Sequence, residues 1–170
     1  MNLIEKFVTF THTQMPEATL FGLAHISWLI IGVIATVIMI ITCKNLSEKK
    51  LKTILLSVGC SLLFLEAIKQ LHFAYEPATD TWDYAWKQFP FQFCSTPMYV
   101  MVVAALLKEG KLKSALYSFL ATYGLFAGLV VSLYPATVLS DIIFRFSQSM
   151  VHHIAMFIIG VCFGKSRVQA

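Results

Sequence analysis

The chain has 170 residues, of which 58% are hydrophobic and 13% charged, and its formal net charge is +4. Soluble domains carry about 45–50% apolar and about 25% charged residues, so this composition excludes a disordered chain, a disulfide scaffold and a nucleic-acid-binding protein. The mean hydropathy is +0.73, and the basic residues stand in short clusters between apolar runs. This arrangement is typical of an integral membrane protein.

The first predicted element is a short amphipathic segment at the N-terminus. Leu3, Phe7 and Val8 fall on one helical face, with Glu5 on the opposite face. This pattern favours a helix that lies in the membrane interface, and a frayed terminus is the alternative interpretation. We therefore predict an interfacial segment over residues 1–19, without a cleavable signal peptide.

Five apolar runs follow, each close to the roughly 20 residues that a helix needs to cross the hydrocarbon core. The third run starts after Pro90, which suits the first turn of a helix, and it contains Pro97, which should kink that helix. The sequence thus predicts an all-α, polytopic bundle of about five spans in a single transmembrane domain, residues 1–170. The predicted spans are residues 20–43, 53–75, 91–107, 115–134 and 142–164.

The distribution of lysines predicts the orientation of this bundle. Basic residues cluster after the first, third and fifth runs, which lie on one side of a five-span layout, whereas most acidic residues lie on the other side. Because cytoplasmic loops are enriched in Lys and Arg, the N-terminus is expected outside and the C-terminus in the cytoplasm. The expected localisation is the cell membrane, with the chain as a multi-pass protein.

Small residues spaced four apart predict where helices approach each other closely. Gly124, Gly128 and Ser132 follow this spacing in the fourth run, and Gly160 and Gly164 follow it in the fifth. In lipid, such residues let two helix backbones come into contact. They indicate packing faces and carry no chemistry.

Ionisable side chains inside a bilayer are costly, so each one is a candidate functional residue. By their positions along the predicted spans, the polar residues gather in the outer half of the bundle and predict a cavity that opens toward the outer leaflet. They are His25, Glu66, Lys69, His72, Cys94, Arg145, His152 and His153.

Several of these residues also have a purely structural interpretation. Glu66 and Lys69 are three apart and can neutralise each other as an ion pair within one helix. His25 and His72 can lie in the headgroup zone, and Arg145 can reach a phosphate or pair with Asp141. Two adjacent imidazoles near mid-bilayer, at positions 152 and 153, are harder to explain structurally.

Cys94 is the cysteine on the polar, outer side of the bundle, near a predicted helix N-terminus. A helix dipole and a nearby imidazole both favour the thiolate, and a cysteine with a histidine base is an arrangement for acyl transfer. His153 shares a helical face with Ser149 and Gly160 and is favoured over His152 as the base. An ordinary buried thiol is the alternative.

The predicted depths raise a geometric difficulty for this pair. At 1.5 Å per residue, Cys94 lies roughly 5 Å below the outer end of its span, and His153 roughly 15 Å below the start of the fifth span. Tilt, or the kink at Pro97, would have to close this gap. By depth alone, His25 or His72 suits Cys94 better.

The stretch from Gln88 to Ser95, QFPFQFCS, resembles the signature of the YwaF-type integral membrane family. Glu66, the segment 124–135 and the His152-His153 pair agree with that resemblance in their order along the chain. The family is similar to the animal transmembrane acyltransferase of ether-phospholipid remodelling, in which a cysteine of the matching helix is taken as the nucleophile.

The resemblance implies that Cys94 is the nucleophile and that His152 or His153 is its base. Two features depart from the family. Gln92 stands where many members have histidine, and members usually continue with further helices. The chain is therefore expected either to be a shortened form or to complete its bundle by association of copies.

The sequence therefore predicts a membrane-embedded, cysteine-dependent lipid acyltransferase or acyl hydrolase with an outer-leaflet-facing Cys/His site. The alternative is a small-solute or proton-coupled transporter that uses Glu66 and the intramembrane histidines. Membrane lipids are the expected partners, and no cofactor, metal or nucleic acid is expected. The predicted catalytic residues are Cys94, His153 and His152, and the predicted substrate-binding residues are Gln92, Glu66, Lys69, His72, His25 and Arg145.

Overall fold

The computed structural model describes residues 1–16, 18–42 and 47–168, with side chains as far as Gly164. The predicted first-span end at Cys43 and the adjoining Lys44 lie outside the described residues. The described residues form seven α-helices and a short antiparallel hairpin. They are α1 (Leu3–Thr11), α2 (Leu23–Thr42), α3 (Glu48–Ala74), β1 (Tyr75–Glu76), β2 (Thr81–Trp82), α4 (Thr96–Leu106), α5 (Lys111–Phe119), α6 (Leu125–Leu133) and α7 (Ile143–Val168).

Five segments of this fold are long and apolar enough to cross a membrane, which confirms the predicted helical bundle. They are Leu23–Thr42, Glu48–Ala74, Trp86–Leu106, Lys111–Leu133 and Ile143–Gly164. The loops 75–95 and 134–142 and the N-terminal residues 12–22 meet at one end of the bundle, here called the cavity end. The turn 107–110 lies at the opposite end.

The fifth span lies at the centre of the bundle, and the first span lies at its edge. In the most apolar window of α7, 56% of residues are buried, compared with 11% in α2. Buried methionines fill the space between α3, α4 and α7, including Met98, Met101 and Met156. Because α7 is enclosed by other helices, its polar residues are held away from lipid, as the cost of burying them in hydrocarbon requires.

The third span is helical only in its second half. Two 3₁₀ turns, Trp86–Gln88 and Phe93–Ser95, precede α4. Pro90 lies in a turn between them, and Pro97 is in the first turn of α4. The predictions that Pro90 opens the helix and that Pro97 kinks it are therefore wrong. A proline fits the first turn because its missing N–H has no intrahelical acceptor there.

The small residues of α6 and α7 bring these two helices into backbone contact. A Cβ atom added at Gly128 would lie 2.5 Å from the Phe157 backbone nitrogen, and one added at Gly160 would lie 2.4 Å from the Leu125 nitrogen. The predicted packing role is confirmed at these two positions. At Gly164 an added Cβ would meet no atom of the described residues within 4 Å, so the prediction is wrong there.

A cap made of α1 and the β1–β2 hairpin covers part of the cavity end. The Glu5 carboxylate accepts a hydrogen bond from the Trp82 indole at 3.1 Å, and this bond lowers the pKa of Glu5. The Tyr75 hydroxyl donates to Asp80 at 2.6 Å, which raises the pKa of Tyr75 to about 12. The first bond fixes the hairpin against α1, whose Val8 is fully buried, and the second closes the hairpin on itself.

The chain after α1 is fastened to the loop that joins the fourth and fifth spans. The Met15 N–H donates to the Asp141 carbonyl at 2.7 Å, and the Ile143 N–H donates to the Thr13 carbonyl at 3.0 Å. Ala18 packs against Phe146 in a small apolar cluster. The N-terminal segment thus holds the loop 134–142 in place over the bundle.

Candidate functional site

A cavity of about 460 Å³ opens at the cavity end between α3, the segment 88–95, the loop 134–142 and α7. Seven of the nine predicted site residues line it: Cys94, His152, His153, Gln92, Glu66, Lys69 and Arg145. Further lining residues come from the loop, including Thr137, Ser140 and Asp141. The structure therefore brings these seven residues to one cavity, and it places His25 and His72 elsewhere.

The two imidazoles are each held by a backbone carbonyl. His152 Nε2 lies 3.0 Å from the Cys94 carbonyl oxygen, and His153 Nδ1 lies 2.8 Å from the Ser149 carbonyl oxygen. Since a carbonyl only accepts hydrogen bonds, each of these nitrogens carries the proton of a neutral ring. The remaining nitrogens, His152 Nδ1 and His153 Nε2, are buried acceptors without a partner among the described residues.

Cys94 is half-buried in the 3₁₀ turn that precedes α4. Its thiol donates to the Gln92 side-chain oxygen at 3.6 Å, and the Gln92 amide donates to the Lys87 carbonyl at 2.7 Å. In this arrangement Gln92 holds the thiol. The described residues include no hydrogen bond between the thiol and an imidazole. The contact of His152 with Cys94 is the hydrogen bond to the backbone carbonyl of the cysteine.

The bond between His152 and the Cys94 carbonyl removes the predicted difference in depth. Cys94 lies just before α4, and α4 begins only after the chain has passed through the turns of residues 86–92 on its way into the bundle. The cysteine is therefore level with position 152 of α7. Counting 1.5 Å per residue from a predicted helix start could not reveal that Cys94 and His152 lie at the same level.

Glu66 is 3% exposed and is held through both carboxylate oxygens. Lys69 Nζ lies 2.7 Å from Oε2, so the predicted ion pair is confirmed. Gln70 donates to Oε1 at 2.6 Å, and Gln148 donates to Oε2 at 3.2 Å. A buried charge with this set of partners is compensated, and it ties α3 to α7.

We expect Glu66→Gln to lower the free energy of unfolding by about 3 kcal/mol, because it leaves the Lys69 ammonium without its counter-ion in a mostly buried position. Chemical unfolding in mixed micelles measures this. The matched control is Glu48→Gln, because Glu48 is 63% exposed and its partner Lys113 also pairs with Glu109. That control should cost less than about 1 kcal/mol, and equal losses in the two variants would contradict the compensated-charge interpretation.

Arg145 lines the cavity and is held there by backbone and aromatic contacts. Its guanidinium donates to the His72 carbonyl and lies 4.7 Å from the centre of the Phe73 ring. The prediction of an ion pair with Asp141 is wrong, since the described residues include no such contact. Arg145 thus joins the start of α7 to the end of α3.

His72 and His25 connect elements outside the cavity. His72 Nε2 shares a 2.9 Å hydrogen bond with Thr11 Oγ1, and its ring stacks on Phe144 at 4.8 Å. His25 Nδ1 accepts from the Phe21 N–H at 3.0 Å, so its Nε2 donates to the Ser132 carbonyl at 2.8 Å. Both rings contribute to packing between elements, and neither lies beside Cys94.

Sequence reasoning missed Gln70 and the loop 137–141. Gln70 donates to Glu66 and also to the Gln88 carbonyl at 3.0 Å, and it accepts a hydrogen bond from the Tyr84 hydroxyl, whose burial raises the pKa of Tyr84. The signal was available, because Gln70 stands one helical turn after Glu66. The loop had no comparable signal, since its position depends on contacts with residues 13–15.

These observations define the class: a multi-pass, α-helical membrane protein with a buried polar cavity near one end of its bundle. Residues 20–168 match the family model described as the TMEM164 family, so the chain belongs to that family. No curated protein and no solved structure matches the chain.

Proposed function

We propose that this protein is a membrane-embedded lipid acyltransferase that uses Cys94 as its nucleophile, with water as an alternative acceptor in a hydrolytic side reaction. The observation that carries the proposal is the hydrogen bond from His152 to the Cys94 carbonyl, which sets an imidazole beside the cysteine in a cavity. The resemblance of residues 88–95 to the YwaF-type family, and through it to a cysteine acyltransferase, agrees with the same chemistry.

The proposed reaction has two halves. In the first, the thiol of Cys94 gives its proton to an imidazole nitrogen while Sγ attacks the ester carbonyl of a lipid. The tetrahedral intermediate collapses to a thioester, and the departing alkoxide takes the proton from the imidazolium. In the second half, the imidazole removes a proton from an acceptor hydroxyl, which attacks the thioester, and the thiolate leaves and is reprotonated.

His152 is the better candidate for the base. The sequence favoured His153, yet the ring of His152 is the one bonded to residue 94. Its bonded nitrogen keeps the proton, which leaves Nδ1 to accept a proton from the thiol. The His153 ring lies 5.3 Å away, centre to centre, and Ser149 fixes its orientation.

The other lining residues have supporting roles in this proposal. Gln92 orients the thiol through its side-chain oxygen. Lys69 and Arg145 both line the cavity and supply positive charge, which suits the phosphate of a phospholipid. Glu66 fixes Lys69 by their ion pair.

The orientation of the site follows from the loop charges. Lys49, Lys50 and Lys52, together with Lys108 and Lys111, lie at the end opposite the cavity. By the positive-inside rule, we place that end in the cytoplasm and the cavity toward the outer leaflet of the cell membrane. Lipids of that leaflet would then enter the cavity.

A transporter is the alternative interpretation, and it depends on Glu66. A carrier carboxylate must change partners during transport, whereas Glu66 is held by Lys69, Gln70 and Gln148. A fixed positioning role fits these contacts better. We therefore propose acyl transfer and not transport.

We expect His152→Gln to lower kcat for acyl transfer by about 10²–10⁴-fold, the usual contribution of a general base. Glutamine can still donate to the Cys94 carbonyl, so the backbone contact survives while the base is lost. His153→Gln is the matched control and should reduce the rate less. A larger loss in His153→Gln would assign the base to His153 instead.

Site-resolved labelling with a thiol-reactive probe tests the activated cysteine directly. Labelling at Cys94 should be faster than at Cys60, which is exposed on the bundle surface, and at Cys162, which is buried. His152→Gln should slow the labelling of Cys94 alone. If Cys94 reacts no faster than Cys60 in the wild-type protein, the thiol is not activated and the proposed function fails.

A further inference from the structure

The wall that α7 presents to the cavity offers hydrogen-bond acceptors. Gln148, His152 and His153 all line the cavity and are each only 3–4% exposed. Each leaves one side-chain atom without a partner among the described residues: Gln148 Oε1, His152 Nδ1 and His153 Nε2. Unpaired buried polar atoms are costly, so three within two adjacent turns of one helix require an explanation.

The chemical character of these three atoms is fixed by their neighbours. The amide nitrogen of Gln148 faces the Glu66 carboxylate at 3.2 Å, which orients the other amide atom as the oxygen, an acceptor. The protonated nitrogens of His152 and His153 face carbonyl oxygens. In the neutral rings the remaining nitrogens are therefore acceptors as well. A complementary ligand has to supply donors.

The charges around the cavity decide which donors fit. The negative charges of Glu66 and Asp141 are matched by the positive charges of Lys69 and Arg145, all of which line the cavity. Glu66 is already paired with Lys69, and the Asp141 side chain is exposed, so neither is an unpaired buried carboxylate that could balance an ammonium group. Uncharged donors, namely hydroxyl groups, satisfy three neutral acceptors without adding charge to a buried site.

We infer that the cavity binds a polyhydroxyl group, of glycerol or sugar type, whose hydroxyls donate to Gln148 Oε1, His152 Nδ1 and His153 Nε2. This inference rests on the proposed function where it names that group as the acyl acceptor: one of its hydroxyls attacks the thioester. The binding itself does not require Cys94. The same chemistry is present in a lipid headgroup and in a free polyol, and the experiment separates these two sources.

The test is native mass spectrometry of the full chain in an amine-oxide detergent, which has no hydroxyl group to compete. The protein is offered phosphatidylglycerol and phosphatidylmethanol with identical acyl chains. Both are anionic phosphodiesters, but only phosphatidylglycerol carries free hydroxyls. We expect phosphatidylglycerol to bind more tightly, by about fivefold for each hydrogen bond formed. Equal binding of the two lipids would overturn the inference and indicate a site for the phosphate alone.

Two variants test whether the preference for phosphatidylglycerol arises at the acceptors of α7. Gln148→Met keeps the side-chain length and removes the acceptor, and it should lower the preference for phosphatidylglycerol about fivefold. Gln14→Met is the matched control, because Gln14 is exposed outside the cavity, and it should keep the full preference. An unchanged preference in Gln148→Met would contradict the assignment. If that variant does not fold, the comparison of the two lipids in the wild-type protein still tests whether the cavity recognises hydroxyl groups.

Competition with free glycerol identifies the source of the polyol. Displacement of phosphatidylglycerol by millimolar glycerol would show that the headgroup alone is recognised and that a free polyol is an acceptor. Selectivity that resists glycerol would assign the site to a lipid headgroup. Cys94→Ala should retain the preference, because the binding does not use the thiol. A wild-type protein that binds the hydroxylated lipid but transfers no acyl group would refute the proposed function and leave this inference standing.

Discussion

Replacing Cys94 with alanine is expected to abolish acyl transfer, with a loss of at least about a thousandfold, because Cys94 is the one cysteine among the described residues that line the cavity and the thioester intermediate needs its thiol. The measurement is transfer of a labelled acyl chain from a phospholipid to an alcohol acceptor, with the purified protein in nanodiscs. Cys94 is half-buried and its thiol has a single long hydrogen bond, so the protein should remain folded.

Cys60→Ala is the matched control for this prediction. Cys60 is exposed on α3, away from the cavity lining, and its replacement should leave the rate unchanged. Transfer by Cys94→Ala at the wild-type rate would contradict a cysteine mechanism. A loss of transfer in both variants would point to a general effect of thiol removal on the fold.

Gly128→Ala is expected to destabilise the bundle by about 1–3 kcal/mol, the usual cost of overpacking. The added methyl group would lie 2.5 Å from the Phe157 nitrogen and 2.6 Å from the His153 carbonyl oxygen. Backbone atoms cannot yield as a flexible side chain can, so α6 and α7 must separate. The free energy of unfolding in mixed micelles measures this cost.

The same separation should lower the rate of acyl transfer, since it moves α7 at His153, one of the cavity residues. Gly164→Ala, in α7, is the matched control, because an added Cβ there meets no atom of the described residues within 4 Å. That variant should be as stable as the wild type or slightly more stable, since alanine favours helix over glycine. Equal destabilisation by the two substitutions would rule out close helix contact as the cause.

The spans were predictable because hydropathy is a property of the sequence alone, whereas the break in the third span was not. Pro90 and Pro97 both indicate a helix start or a kink, and local sequence does not decide between them. The choice depends on Tyr99, whose hydroxyl donates to the Pro90 carbonyl at 3.1 Å, and on Gln70, which holds the Gln88 carbonyl. These contacts join residues that are 9 and 18 positions apart in the sequence, beyond the reach of local propensity.

The sequence was likewise enough to predict most of the residues that line the cavity, but not all of them. Polar residues in apolar spans are costly, so their positions in the sequence are enough to make Glu66, Lys69 and Arg145 candidates. His25 and His72 meet the same criterion, but their nitrogens bond to Ser132 and Thr11. Only the tertiary arrangement distinguishes an imidazole that joins two helices from one that lines a cavity.

If Cys94 carries the acyl group during transfer, the acyl-enzyme can be trapped and its acylated residue identified. The protein would be incubated with a phospholipid donor without a polyol acceptor and analysed by mass spectrometry after digestion. A cysteine nucleophile should give one acyl adduct on Cys94 that is released by neutral hydroxylamine. This adduct should form more slowly in His152→Gln and be missing from Cys94→Ala. An acyl adduct on another residue, or none on a folded wild-type protein that binds the donor lipid, would contradict it.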